Sequence, residues 1–171
     1  VLVAVAHEGE RVNHFAEVVT EIPRAQAVGA THDPQAAYTV AEISGGEMAY
    51  SGFNLVLGPV ADVLTNLDSE IIGGRSYGSD PVRVSEFVAE AVRGYNTAGL
   101  IPVLKHYPGH GGVAADSGRA PAGLRNWSPT ERARSTTTNS HTRCSSAIWW
   151  LSSMRKPWIR NGVSIQGRSR S

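Results

Sequence analysis

Residues 100–112 read LIPVLKHYPGHGG, and this stretch decides the fold. It begins with a short apolar run, residues 100–104, and continues as a loop rich in proline and glycine that starts with Lys105 and His106. A buried strand that ends in two polar side chains is typical of a parallel α/β fold, in which the active site lies where the strands end. The stretch therefore predicts a strand with a functional loop at its carboxyl end.

Two further apolar runs, residues 1–6 and 53–60, precede this strand. Continuous apolar runs of this length are typical of strands that are buried on both faces of a parallel sheet. Between the runs, Asp33-Pro34 and Asp80-Pro81 each place an N-cap residue before a proline at the first helical position. The chain is therefore predicted to alternate strand, helix, strand, helix and strand.

The second predicted helix has a regular apolar face, and Gly99 is placed to end it. Strands that alternate with helices indicate right-handed βαβ units and a parallel sheet, which is the α/β fold class. A long loop, residues 62–78, is expected between the second strand and this helix. The residues of the apolar face are Val84, Phe87, Val88, Ala91, Val92 and Tyr95.

Charge is distributed unevenly along the 171 residues, although the formal net charge is only +1. Residues 1–117 carry six Lys and Arg against fourteen Asp and Glu, whereas residues 118–171 carry ten against one. All four tryptophans and the single cysteine also lie in the second part. Such a shift predicts two regions, 1–117 and 118–171. One cysteine excludes an internal disulfide framework.

No targeting or membrane segment is predicted. The apolar run at residues 1–6 is too short for a signal peptide core or a membrane span. The missing signal peptide favours the cytoplasm over secretion, but the N-terminus looks truncated, so the sequence does not fix the compartment. It does not specify an oligomeric state either.

Four ordered motifs resemble one family. KHYPGHGG (105–112) is similar to the KH(F/Y)PGHG motif of glycoside hydrolase family 3, in its β-N-acetylhexosaminidase branch. GFNLVLGPVADV (52–63), IIGGRSYGSDP (71–81) and HEGERV (7–12) resemble the third-strand segment, the arginine loop and the DQEGGRV turn of the same family. The resemblance covers about residues 1–117. It implies a partial (β/α)8 TIM-type barrel, about strands two to four, and hydrolysis of terminal β-linked N-acetylhexosamine with retention and without a cofactor.

The resemblance also implies which residues hold the sugar. Arg75, Lys105 and His106 would donate hydrogen bonds to sugar hydroxyls, because long cationic side chains at strand ends reach across a barrel mouth. His14 stands where the family has an arginine and is the fourth candidate substrate-binding residue. Asp62, at the end of a strand, is expected either to orient these donors or to cap its loop.

A metal site is not expected, although His106 and His110 have the i, i+4 spacing of a helical metal pair. Pro108 and Gly109 lie between them and prevent the helix that this spacing requires. His110 is instead expected to structure its loop.

Several departures from the family pattern predict that the chain is inactive. Ala6 stands where the family turn has a sugar-binding aspartate, and Glu10 stands where it has a glycine. The family's acid/base is an Asp-x-His pair, of which only Asp116, the orienting residue, is present, because Gly118 replaces the histidine. No match to the nucleophilic aspartate is found, and glycosidases of this type need both groups. A non-catalytic sugar-binding remnant is the first alternative function.

Residues 118–171 are predicted to be out of frame or to lack stable structure. Read one base out of register, residues 145–151 can give Val-Gly-His-Leu-Val-Val, in which only the valine across Trp149-Trp150 is forced. That string resembles the VMVGHL-like next barrel strand of the family. A genuine basic extension that binds nucleic acid is the rival interpretation and the less favoured one.

Overall fold

The computed structural model describes residues 1–9, 11–15, 17, 19–107 and 109–113. Over these residues the chain has an α/β fold. The elements are β1 (Ala4–Val5), β2 (His7–Gly9), β3 (Val12–Asn13), α1 (Ala25–Ala30), α2 (Pro34–Tyr50), β4 (Leu55–Val56), a 3-10 turn (Gly73–Arg75), α3 (Pro81–Thr97) and β5 (Ile101–Pro102).

The three predicted strands form one parallel sheet in the order β1-β4-β5. Val5 pairs with Val56, and Val56 pairs with Pro102. Each ladder is two residues long, shorter than the apolar runs. Beyond β4 the chain passes through Gly58-Pro59, and proline has no N–H to donate to a ladder. The parallel sheet is confirmed, and the strands are shorter than predicted.

Both predicted helix starts are confirmed. Asp33 accepts a hydrogen bond from the backbone N–H of Gln35 at 3.0 Å, and Asp80 accepts one from that of Arg83 at 2.9 Å. Each aspartate therefore satisfies a backbone donor that the first helical turn leaves unpaired. Gly99 follows α3 with a φ of 85°, a left-handed conformation that favours glycine.

The core lies between α2, α3 and the sheet. The apolar face predicted for α3 is buried along most of its length, and only Val92 is half-buried. Burial of this face, together with small residues on α2, removes apolar surface from water and holds the two helices against the sheet. The main cluster comprises Val5, Val28, Ala37, Ala41, Met48, Val56, Phe87, Ala91, Tyr95 and Leu100.

Gly94 of α3 provides a test of this helix packing. A Cβ at Gly94 would meet the carbonyl oxygen of Tyr38 and lie 2.9 Å from the Cβ of Ala41, whereas a Cβ at Gly46 would meet nothing within 4 Å. We expect Gly94→Ala to lower the free energy of unfolding by about 1–3 kcal/mol through overpacking. Gly46→Ala, the matched control, should raise it by about 0.5–1 kcal/mol. Urea unfolding measures both, and equal effects would contradict the close contact.

Two elements were not predicted, α1 and the β2–β3 hairpin. The hairpin segment looks polar in the sequence, yet His7 and Gly9 are buried, with a φ of 86° at Gly9. The sequence gives no strand signal over residues 7–13, because the inward-facing residues are a histidine and a glycine rather than aliphatic side chains. The short helix α1 has no side-chain cap to signal its start.

The region 118–171, the predicted boundary at residue 117 and Asp116 all lie outside the described residues. Within the described part, no helix is long and apolar enough to cross a membrane.

Candidate active site

The candidate site is built at the carboxyl edge of the parallel sheet. Because parallel strands end at the same edge, residues that follow them converge there. Glu8 lies in β2, three residues beyond the end of β1, Asp62 follows β4, and Lys105 with His106 follows β5. A parallel bridge between Val60 and Lys105 continues the pairing of β4 and β5 to this point.

Glu8 holds two cationic side chains. Its carboxylate is 7% exposed and accepts from Arg75 through Nε at 2.7 Å and Nη2 at 2.9 Å. Lys105 Nζ forms an ion pair with the same carboxylate. Burial opposes ionisation of Glu8, but the hydrogen bonds from Arg75 and Lys105 outweigh it and lower the pKa of Glu8. Glu8 therefore stays charged and fixes both cations.

Asp62 binds two histidines that follow β5, His106 and His110. Its fully buried carboxylate accepts from His106 Nδ1 at 2.6 Å, from the His106 backbone N–H at 3.2 Å and from the His110 backbone N–H at 2.5 Å. Burial opposes ionisation, and these hydrogen bonds outweigh it, so the pKa of Asp62 is lowered. These contacts fit both roles predicted for Asp62, because it orients the His106 ring and also caps backbone N–H groups of its neighbouring loop.

The residues around Glu8 and those around Asp62 meet at one contact, where Arg75 Nη2 lies 3.5 Å from His106 Nε2. Arg75, Lys105 and His106, predicted to act together, therefore lie in one cluster. The Lys105–His106 peptide bond is cis. The 3-10 turn positions Arg75, whose Nη1 also donates to the Ile71 carbonyl at 3.1 Å.

The geometry assigns the proton of a neutral His106. A carboxylate only accepts, so the nitrogen beside Asp62, Nδ1, carries the hydrogen, and Nε2 presents a lone pair. Two carboxylates then balance two cations in the cluster. Such a neutral set of donors and acceptors suits a neutral ligand with several hydroxyl groups better than an ion.

Of the remaining candidate site residues, only His14 is among those that the structure describes. His14 lies in the turn that follows β3, with an exposed side chain. Asp116 is outside the described residues. The rings of His106 and His110 meet edge to face at 5.7 Å. Among the described residues, no group of three or more His, Cys, Asp or Glu side chains is arranged to hold a metal ion.

Sequence reasoning did not nominate Glu8, although it organises half of the cluster. The signal was its position directly after the first strand, at the edge where Lys105 follows the third. A lone carboxylate at that edge needs a cationic partner, and the loops supply two. In α/β folds the carboxyl ends of the strands are the common place for small-molecule sites.

Comparison with known proteins identifies the family. The sequence model of the glycosyl hydrolase family 3 N-terminal domain matches residues 1–134. The chain belongs to this family. It is 38% identical over 122 residues to a β-hexosaminidase of Stenotrophomonas maltophilia (strain R551-3), a match that covers 68% of this chain and 36% of the relative. The chain thus spans about a third of the length of that curated relative.

Solved structures agree with this assignment. The family 3 β-N-acetylglucosaminidase from Paenibacillus sp. str. FPU-7 superposes with a TM-score of 0.66 at 38% identity, over 68% of this chain and 22% of that one. NagZ from Neisseria gonorrhoeae, in complex with N-trifluoroacetyl-D-glucosamine, superposes with a TM-score of 0.64 at 31% identity, over 68% and 36%. The predicted family resemblance is confirmed.

Proposed function

We propose that this chain is the sugar-holding part of a family 3 glycoside hydrolase that acts on terminal β-linked N-acetylhexosamine with retention. The observation that carries the proposal is the cluster of Arg75, Lys105 and His106, fixed by two buried carboxylates at the ends of parallel strands. Fixed donors and acceptors of this kind recognise the hydroxyl pattern of a sugar ring.

The architecture we propose is a portion of a (β/α)8 barrel, about strands two to four. Support comes from the parallel order β1-β4-β5, from the helices that connect these strands and from the convergence of the polar cluster at their carboxyl ends. In such barrels the substrate site lies at this face. A complete barrel takes about 250 residues, so further strands have to complete the site.

The proposed substrate class is supported by the relatives. The Stenotrophomonas relative is named a β-hexosaminidase, and the Neisseria structure contains an N-acylated glucosamine. The balanced charge of the cluster fits a neutral amino sugar derivative. We assign Arg75, Lys105 and His106 to the sugar hydroxyls, and His14 remains a candidate for the same role.

We further propose that the 171-residue chain does not hydrolyse glycosides by itself. The retaining mechanism needs a group that protonates the leaving oxygen and a carboxylate nucleophile. Asp116 would orient the first, but Gly118 stands where the family has the histidine, and no match to the nucleophile is found. The intact cluster favours sugar binding without catalysis as the second candidate function.

The test combines turnover and binding. We expect no hydrolysis of a chromogenic N-acetylglucosaminide by the purified chain, and saturable N-acetylglucosamine binding in calorimetry. Lys105→Ala should weaken that binding about tenfold or more, because a charge-assisted hydrogen bond is lost. Arg93→Ala is the matched control, since Arg93 pairs with Glu90 on the surface of α3 and should leave affinity unchanged. Turnover above background would refute the predicted inactivity, and equal affinities of the two variants would refute the site.

A further inference from the structure

His7 is a buried imidazole that the proposed sugar site does not use. It lies on β2 next to Glu8, where a bulge interrupts the pairing with β3, and both residues line one cavity. Its exposure is 0%, and neither Nδ1 nor Nε2 has a hydrogen-bond partner among the described residues. Leaving such a group unpaired costs about 1–3 kcal/mol, so a partner is needed.

A cavity of about 30 Å³ is lined by His7 together with Glu8 and Arg75 of the ion pair. Tyr77 and Tyr95 line it as well. Burial raises the pKa of both tyrosines, to about 12 for Tyr95, so their hydroxyls stay protonated. A cavity of about 10–15 Å³ holds one water molecule, provided that two to four polar groups are in reach to bond it. The cavity is large enough for one water, and five of its lining residues, His7, Glu8, Arg75, Tyr77 and Tyr95, carry polar side-chain atoms.

We propose that this cavity is a binding site for ordered water, with the His7 imidazole as its principal hydrogen-bond partner. The water supplies the partner that the protein does not, and a neutral His7 anchors the strand that carries Glu8 without adding a charge to the cluster. An apolar cavity of the same size would stay dry. The inference does not depend on the identity of the sugar.

The charges around His7 determine how the site responds to acid. The pKa of His7 is lowered, mainly by burial. The negative charges of Glu47 on α2 and, less strongly, of Glu8 raise this pKa, whereas His14 lowers it further. Arg75, which also lines the cavity, adds a positive charge. As the pH falls, His7 is therefore protonated at a higher pH in the unfolded chain than in the folded chain. Stability is full above the ordinary histidine pKa of about 6.5 and falls as the pH drops below it.

The direct experiment is nuclear magnetic resonance of the whole chain with ¹⁵N-labelled histidine at pH 7.5. The expected result is a neutral His7 ring whose protons show a nuclear Overhauser effect to water with a long residence time. A His7 ring without that effect, or a charged ring at pH 7.5, would overturn the proposal.

A second measurement compares urea unfolding at pH 7.5 and 5.5. The unfolding equilibrium constant of the unmodified chain should rise by up to about tenfold per pH unit, the effect of one proton. His7→Gln, which binds water but does not titrate, should remove this rise. The exposed His32, changed to Asn, is the matched control and should keep it. The same pH response in both variants would contradict the assignment to His7.

Discussion

Glu8→Gln should lower the free energy of unfolding by about 3 kcal/mol. The substitution keeps the shape of the side chain and removes its charge, so Arg75 and Lys105, which are 17% and 19% exposed, lose their shared counter-ion. Breaking a buried ion pair by removing one partner typically costs about 3–5 kcal/mol. Urea unfolding of the full chain, followed by circular dichroism, measures the change.

The matched control is Glu90→Gln on α3. Glu90 pairs with Arg93, whose side chain is half exposed, and surface pairs of this kind are worth about 0–1 kcal/mol. The two substitutions are chemically identical and differ in burial. A loss at Glu8 no larger than the loss at Glu90 would show that Glu8 does not organise the cluster.

Asp62→Asn should lower the free energy of unfolding by about 2–3 kcal/mol at neutral pH. An amide provides one acceptor oxygen, whereas the carboxylate of Asp62 accepts from the His106 ring, the His106 backbone and the His110 backbone. Hydrogen bonds to a charged group contribute about 1.5–3 kcal/mol each. Urea unfolding at pH 7 measures the loss, and Asp68→Asn, at an exposed position of the nearby loop, is the control.

The pH dependence of the free energy of unfolding in acid tests the hydrogen bonds of Asp62 independently. The pKa of Asp62 is lowered in the folded chain, so its contribution is full above the ordinary aspartate range and is lost as the pH falls through the lowered value. Asp62→Asn should flatten this part of the stability curve below about pH 4. An unchanged pH dependence in acid would contradict the proposed role of the carboxylate.

The regular elements could be predicted because local signals specify them. The two Asp-Pro dipeptides at residues 33–34 and 80–81 begin helices, and the apolar face of α3 repeats with the helical period. The hairpin and α1 had no such signal. His7 is buried through tertiary packing, and α1 is only six residues long and lacks a side-chain cap.

The site was only partly predictable for a different reason. Arg75, Lys105 and His106 were found from motifs, and the structure brings them together. Glu8 was missed because its importance comes from partners 67 and 97 residues away in the chain, a pairing that no local pattern encodes. The cavity beside His7 is likewise a product of packing between segments that are distant in sequence.

The measurement that tests the sugar site most directly is a ¹⁵N magnetic resonance titration of the whole chain with N-acetylglucosamine. It would follow the Arg75 guanidinium and the His106 ring, with His32 as an exposed reference. The prediction is saturable shifts at Arg75 and His106 that fit one dissociation constant, without a shift at His32. Unchanged Arg75 and His106 signals at saturating sugar, or equal shifts at His32, would contradict the proposed sugar site.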